Sequence, residues 1–422
     1  MITKKVAIVG FNRTPFAKHN TAFKNATNQD LLLAALNGLI EKHNLSGKLL
    51  GEVAGGSVIK HISESNLVRE SIMKTSLDPA TPGCDLQQAC DTGIEAAIYI
   101  ANKIALGQIE SGIACGVEAM SNLPFETNEH LRKILLAANR EKTFWRKAKT
   151  FSKIKIKDFM PIPYQGPEPE TGLVMGEHTE ITAKHYGISR EEQDELAYLS
   201  HHNMAKAYDE GFYSDMITPY LGLETDNNLR RDTTLEKLAR LKPAFDKENG
   251  TLTAGNSTPF TDGAAAILLA SEEWANANNL PILAYITQAE VAGIEYIKNQ
   301  HNLLLAPVNA AARMLKRADM KLSDFDYYEI HEAFAAQVLA TLKIWESDEL
   351  SRQFGLEEAL GKIDRTKLNT KGSSLAVAHP FAATGARIIG TLAKLLNEKG
   401  TGKGFISICA ARGQGVTMIL EK

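Results

Sequence analysis

Residues 91–116, DTGIEAAIYIANKIALGQIESGIACG, and residues 383–410, ATGARIIGTLAKLLNEKGTGKGFISICA, decide the fold. Each opens on Thr-Gly, runs through apolar residues at helical spacing, turns at glycine and ends in a strand-like stretch that reaches a cysteine. Gly93 to Cys115 is 22 residues and Gly385 to Cys409 is 24. The same order of elements at nearly the same spacing predicts a duplicated unit. Around these two runs, strand signals at 6–11 (VAIVGF), 264–270, 284–293 and 325–331 alternate with helical patterns such as 28–43. Such alternation predicts an α/β architecture with buried sheets.

The middle of the chain reads differently. Residues 120–250 are rich in charge and in Pro/Gly turns. They contain a helix signal, SREEQDELAYLSHHNMAKAYDEG (189–211), with Ser189 and Glu192 in capping-box spacing and a stop at Gly211. We read this as an insertion, so 1–120 with 250–272 form one half, 121–249 a loop domain and 273–422 the second half.

Composition excludes several functions. The chain has 422 residues, a net charge of −3, 44% apolar and 23% charged residues, a globular balance and not that of a general nucleic-acid binder. Cysteines 84, 90, 115 and 409 form no Cys-x-x-Cys pair, so neither a dithiol nor a zinc site is expected. No leader and no 18-residue apolar run is evident, and a soluble cytoplasmic protein is the expectation. The net charge hides one segment. Residues 132–158 carry ten Lys/Arg against two Asp/Glu, +8 in all, which leaves −11 for the remainder. Phe144, Trp145, Phe151, Ile154 and Ile156 lie among those charges, a pattern of surfaces that touch anionic membranes or partners. A solvated face with a packed apolar side gives the same pattern.

Four residues at the ends of elements are candidates for chemistry. Cys90 precedes a helix start, where free N–H groups and the helix dipole favour a thiolate. Asp91 beside it either raises the thiol or caps the helix. His379 sits before Pro380 at a junction into a helix, and His331 closes a strand just ahead of Glu332. Cys409 enters the small-residue turn CAARGQG, whose N–H groups can approach an anion. Ligands in α/β proteins favour such strand ends.

Six blocks in order along the whole chain resemble the thiolases: QQACDTGIEAA, GVEAMS, TAGNSTPFTDGAAAILLA, HEAFAAQ, AHPFAATGAR and CAARGQGVTMILE. The HEAFAAQ form, with His331 where many thiolases have Asn, is most like the fatty-acid-oxidation branch. The resemblance implies two duplicated βαβαβαββ half-domains stacked as αβαβα layers. It implies an acyltransferase that cleaves 3-oxoacyl-CoA with CoA, giving acetyl-CoA and a shortened acyl-CoA. Cys90 would be the acylated nucleophile, His379 its base and Cys409 the acid/base for the acetyl-CoA carbon. His331 and His379 would form one oxyanion site, and the backbone N–H groups of Cys90 and Ala411 the other. Arg230 and Thr258 match CoA contacts, and Met175 and Phe334 match pocket positions. CoA enters as substrate, with no tightly bound cofactor and no metal. A homodimer or homotetramer, a hydratase/dehydrogenase partner subunit and peripheral membrane contact through 132–158 are further implications.

Alternatives are a biosynthetic acetyl-CoA acetyltransferase, a decarboxylating condensing enzyme (against which Cys409 argues) and a non-catalytic acyl-CoA-binding or complex-assembly protein. Two positions depart from the family pattern, Asp91 and Arg412, where a small neutral residue and a glycine are usual. Arg412 would lower the Cys409 thiol, pair with Asp91 across the site, or point to solvent.

Overall fold

The computed structural model describes residues 3–125, 127–160 and 166–422. Its strands are β1 (Val6–Arg13), β2 (Ala17–Lys18), β3 (Glu52–Gly55), β4 (Gly83–Asp85), β5 (Ser111–Ala119), β6 (Thr261–Ser271), β7 (Ala284–Gly293), β8 (Tyr327–Ile330), β9 (Lys403–Ala410) and β10 (Gln414–Glu421). They join in the order β4-β3-β5-β6-β1-β7-β10-β9-β8, with β2 added beside β6. β3 runs parallel to β4 and β5, β8 runs parallel to β9, and the remaining pairs are antiparallel.

That order is a palindrome about one seam. β3-β5-β6-β1 on one side is repeated as β8-β9-β10-β7 on the other. At the seam Val6 pairs with Ile286, Ala7 with Tyr285 and Ile8 with Ala284. Exchanging 6–8 with 284–286 returns the same pairs, the signature of a two-fold axis. The helices obey the same rule. Thr92–Ala105 and Thr384–Lys399, the two expected helices, lie side by side between the sheet halves. A Cβ on Gly93 would meet Ala386 N at 3.0 Å, and one on Gly385 would meet Ile94 N at 2.3 Å. Glycine at both positions is what lets the two backbones touch.

Alternating strand residues build the layers. Ile267, Leu269, Ile406 and Ile408 face inward onto the two central helices. Ala266 and Leu268 face outward onto helix Asn28–Lys42. Phe405 and Ile419 face outward onto helices Pro307–Ala318 and Ala335–Trp345. The result is helix, sheet, paired helices, sheet, helix, the expected layered α/β arrangement. At the insertion, helix Arg190–Asp209 carries the expected cap: Ser189 accepts from Glu192 N, and Glu192 accepts from Ser189 N.

The basic segment forms helices Glu129–Arg140 and Phe144–Phe151, which pack together. The first buries Leu131, Ile134 and Ala138, but the second buries nothing. Phe144, Trp145 and Ile156 are 74%, 81% and 91% exposed, so the apolar side here is not a packed one. Among the described residues no helix is long and apolar enough to cross a membrane.

Candidate active site

The nucleophile candidate stands on a sharp turn. Ala89 has φ 47°, a left-handed conformation, directly before Cys90. Thr92 holds that turn, its hydroxyl donating to Ala89 O (2.7 Å) and accepting from Gln88 N (2.9 Å). Ala378, directly before His379, sits at φ 78° and ψ −177°, a region otherwise reserved for glycine. Strained backbone therefore precedes both residues, and it brings His379 Nε2 to 3.2 Å from Cys90 Sγ.

His379 Nδ1 lies 2.6 Å from Thr384 Oγ1 at the start of its helix. Burial, then the nearby Arg387, lowers the His379 imidazolium to about 3. Burial also pushes the Cys90 thiol up to about 12, and Asp91 adds to the rise. The backbone N–H groups of Ala411 and of Cys90 itself favour the thiolate and oppose the shift, but burial outweighs them. The expected thiolate is thus replaced by a neutral thiol–imidazole pair, in which the thiol can donate to Nε2. Nδ1–H then donates to Thr384.

His331 packs against His379 with ring centroids 4.2 Å apart. Its tautomer follows from its neighbours. Arg387 Nη2 lies 2.6 Å from Ser374 Oγ, and a guanidinium can only donate. With one lone pair so used, the Ser374 hydroxyl keeps its hydrogen and can donate it onward to His331 Nδ1 at 2.7 Å. Burial, with His379 and Arg387 nearby, holds the imidazolium form far below its usual range. A neutral ring accepting at Nδ1 must carry its proton on Nε2, and that buried nitrogen has no partner. It is a free donor beside His379. Glu332 does not enter this set. Its carboxyl is bound by Ser200 Oγ (2.7 Å), Asn369 Nδ2 (2.6 Å) and Leu375 N (3.1 Å), which fix the turn leading to Ser374.

Cys409, the penultimate residue of β9, is buried and close enough to Cys90 and Asp91 that both, after burial, raise its thiol. Thr258 and Phe334 share a neighbourhood: Thr258 N and Oγ1 both donate to Ala333 O, and Ser257 bridges to Phe334. Met175 packs against the same apolar cluster as Phe334. Arg230 is exposed, with its backbone N–H on His201 Nδ1, and no contact among the described residues ties it to the cysteines.

The Asp91–Arg412 pair does not form. Both Asp91 oxygens are buried without a partner, and burial with Glu95 nearby holds the carboxyl well above the usual range. Nor does the side chain cap the helix whose N-cap position it occupies. Arg412 is half-exposed, and it engages carboxylates other than Asp91. Its Nη1 lies 3.0 Å from Glu168 Oε2 and 3.6 Å from Glu170 Oε2.

Sequence reasoning missed Ser374, Arg387 and Glu168. Arg387 was findable as a cation on the otherwise apolar face of GARIIGTLAKLL. Ser374 and Glu168 carry no such signal, because their roles depend on partners distant in the chain.

The arrangement offers a thiol, a neutral base at hydrogen-bond distance, a second imidazole donor and a second thiol, the equipment for acyl transfer through sulfur. Comparison with known proteins agrees with that chemistry. The family model "Thiolase, N-terminal domain" matches residues 6–273, and "Thiolase, C-terminal domain" matches 280–422. A 3-ketoacyl-CoA thiolase of Yersinia pestis is 38% identical over 424 residues, covering 99% of this chain and 97% of its own. The crystal structure of Bacillus anthracis acetyl-CoA acetyltransferase aligns with a TM-score of 0.84 at 31% identity, covering 100% of this chain and 99% of its own. Human mitochondrial 3-ketoacyl-CoA thiolase in complex with CoA aligns at 0.83 and 27%, covering 100% and 98%. With both halves matched along nearly the whole length, the chain belongs to the thiolase family.

Proposed function

We propose that the protein is a 3-ketoacyl-CoA thiolase acting in fatty acid β-oxidation in the cytoplasm, with CoA as substrate. The observation that carries this reading is the neutral Cys90–His379 contact of 3.2 Å with the free His331 donor beside it. The Cys90 proton passes to His379 Nε2 as the sulfur attacks the 3-keto carbon. The oxygen that becomes negative is met by the N–H groups of Cys90 and Ala411, the two backbone donors that already favour negative charge on the sulfur. The C2–C3 bond then breaks. The acyl group stays on Cys90, and acetyl-CoA leaves as an enolate whose oxygen faces His331 and the newly protonated His379. Cys409 gives its proton to the enolate carbon. CoA next loses its thiol proton to Cys409, attacks the acyl-cysteine and departs as the shortened acyl-CoA, while His379 returns its proton to the freed Cys90 sulfur.

Thr258, Met175 and Phe334 are proposed to line the CoA and acyl path, with Arg230 as an outer contact for CoA phosphate. We take 1–120 with 250–272 and 273–422 as the two halves and 121–249 as the insertion that covers the site. The test is thiolysis of a C4-to-C16 3-oxoacyl-CoA series beside acetyl-CoA condensation. Stoichiometric acyl transfer to Cys90 and its loss in Cys90→Ser are expected. Activity confined to acetoacetyl-CoA moves the assignment to an acetyl-CoA acetyltransferase, and absence of any acyl-cysteine leaves a binding protein.

Homo-oligomers and a hydratase/dehydrogenase partner are part of the same proposal. So is peripheral membrane contact, which the exposed Phe144, Trp145 and Ile156 among lysines and arginines support. Flotation with anionic liposomes at low salt is expected, and failure to float removes the membrane contact.

A further inference from the structure

The turn that carries Ala411, whose backbone N–H favours negative charge on Cys90, has an unusual residue in it. Residues 411–413 link β9 to β10, and both Arg412 (φ 67°) and Gly413 (φ 65°) are left-handed. Glycine adopts that conformation freely, whereas arginine does so only against a steric cost. Gly413 has a local reason to be glycine: a Cβ there would meet Ile294 O at 2.6 Å and the Tyr296 ring at 2.8 Å. Nothing within the turn favours arginine at 412.

Its reason lies across the fold. Glu168, whose side chain is 2% exposed, accepts the Arg412 backbone N–H (3.3 Å to Oε1) and the guanidinium (3.0 Å to Oε2). The Tyr296 hydroxyl lies 2.9 Å from both Glu168 Oε2 and Glu170 Oε2 and donates to one at a time. Glu168 is itself fixed, with Gly172 N on its carbonyl (2.7 Å) and its own N–H on Leu173 O (2.8 Å). On the other side, Ile294 N donates to Gly413 O (2.8 Å). Two segments thus grip the turn at adjacent residues. The guanidinium charge is committed to two carboxylates, which argues against Arg412 as a cation for thiols or for CoA phosphates.

We propose that Arg412 is a positioning residue: by binding buried Glu168 through both backbone and side chain, it holds the 411–413 turn left-handed and so keeps the Ala411 N–H aimed at Cys90. The inference rests on Cys90 as the acyl-carrying group, and its test is separable from that reading because alkylation of Cys90 needs no acyl-CoA.

The two smallest substitutions distinguish a conformational role from an electrostatic one. Arg412→Ala loses the ion pair and keeps the steric cost, so the turn relaxes. Arg412→Gly loses the same ion pair but adopts φ 67° without cost. Iodoacetamide alkylation of Cys90 at pH 8, read on its peptide by mass spectrometry, is expected to slow about tenfold in Arg412→Ala and about twofold in Arg412→Gly. kcat for thiolysis should follow the same order with KM within about twofold, as for an interaction made chiefly in the transition state. Glu168→Gln, which keeps an acceptor for the backbone N–H, should fall between the two. Equal losses in the alanine and glycine variants, or alkylation unchanged in alanine, overturn the proposal. If Arg412→Ala does not fold, the glycine and Glu168→Gln variants decide: unchanged alkylation in both overturns it, and a graded loss supports it. Wild-type protein that alkylates normally but forms no acyl-enzyme would instead count against the proposed function.

Discussion

The resting state of Cys90 gives the sharpest test of the site. Burial holds the thiol near 12 and the His379 imidazolium near 3. Between those values neither group ionises, so the reactive thiolate grows tenfold for each pH unit. Alkylation of Cys90 by iodoacetamide should therefore rise by up to about 10⁴-fold from pH 5.5 to 9.5, with no plateau. A preformed thiolate–imidazolium pair behaves oppositely, giving fast alkylation that is flat across that range. Asp91 refines the expectation. Its carboxyl is held protonated well above the usual range, so at low pH it carries no charge to repel the sulfur. Once it ionises, it resists formation of the thiolate and the slope should fall below one. Asp91→Asn should overlay wild type on the low-pH limb and react faster on the high limb. The assay is peptide-resolved alkylation over a pH series, with Cys84, Cys115 and Cys409 as internal references. A plateau for Cys90 beginning below pH 8 would refute the neutral pair, and parallel curves for Asp91→Asn would refute the part assigned to Asp91.

Other outcomes follow from neighbouring residues. Ser374→Ala removes the donor that fixes the His331 tautomer, so kcat for thiolysis should drop about tenfold while KM holds; an unchanged kcat would mean the tautomer does not matter. Glu329 is fully buried with neither oxygen partnered, and burial raises its carboxyl to about 8. The folded state keeps that proton while the unfolded chain loses it above about 4.5, so its contribution is full at low pH and declines as pH rises to 8. Glu329→Gln escapes this decline, and its stability relative to wild type should improve by on the order of 4 kcal/mol from pH 4.5 to 8 in denaturant titrations; pH-independent differences would contradict the assignment. Ala378→Gly relieves the strained φ before His379 and should stabilise the protein by about 1 kcal/mol after the entropic cost of glycine. A lower urea midpoint would show that the strain is not stored there.

Much of this architecture was legible in the two quoted runs because duplication is a pattern within one sequence. Thr-Gly, helix, turn and strand recur, and the structure superposes them as Thr92–Ala105 with β5 and Thr384–Lys399 with β9. The cysteine and histidine candidates were also legible, since they sit at element ends next to Gly and Pro. The protonation states were not. A helix start beside Cys90 argues for a thiolate, and only the depth of burial reverses that sign. Nor was the partner of Arg412: Asp91 is the other anomalous residue in the sequence, yet Glu168, in a PEPE tract of no evident purpose, holds the guanidinium. Partner choice depends on which loops pack together, and local pattern carries no record of it.

The seam between β1 and β7 has one more consequence, which concerns ownership of the reaction. Counting from the paired glycines, the position that mirrors Cys90 is Ala382, and the position that mirrors His379 is Gln87. Neither mirror residue can attack a carbonyl or take a thiol proton. The fold is symmetric, but on the proposed mechanism the chemistry is single-sided, with the nucleophile contributed by one repeat and the base by the other. Separated into two polypeptides, each repeat would be inert alone, and any activity on mixing would report directly that the Gly93–Gly385 contact had re-formed.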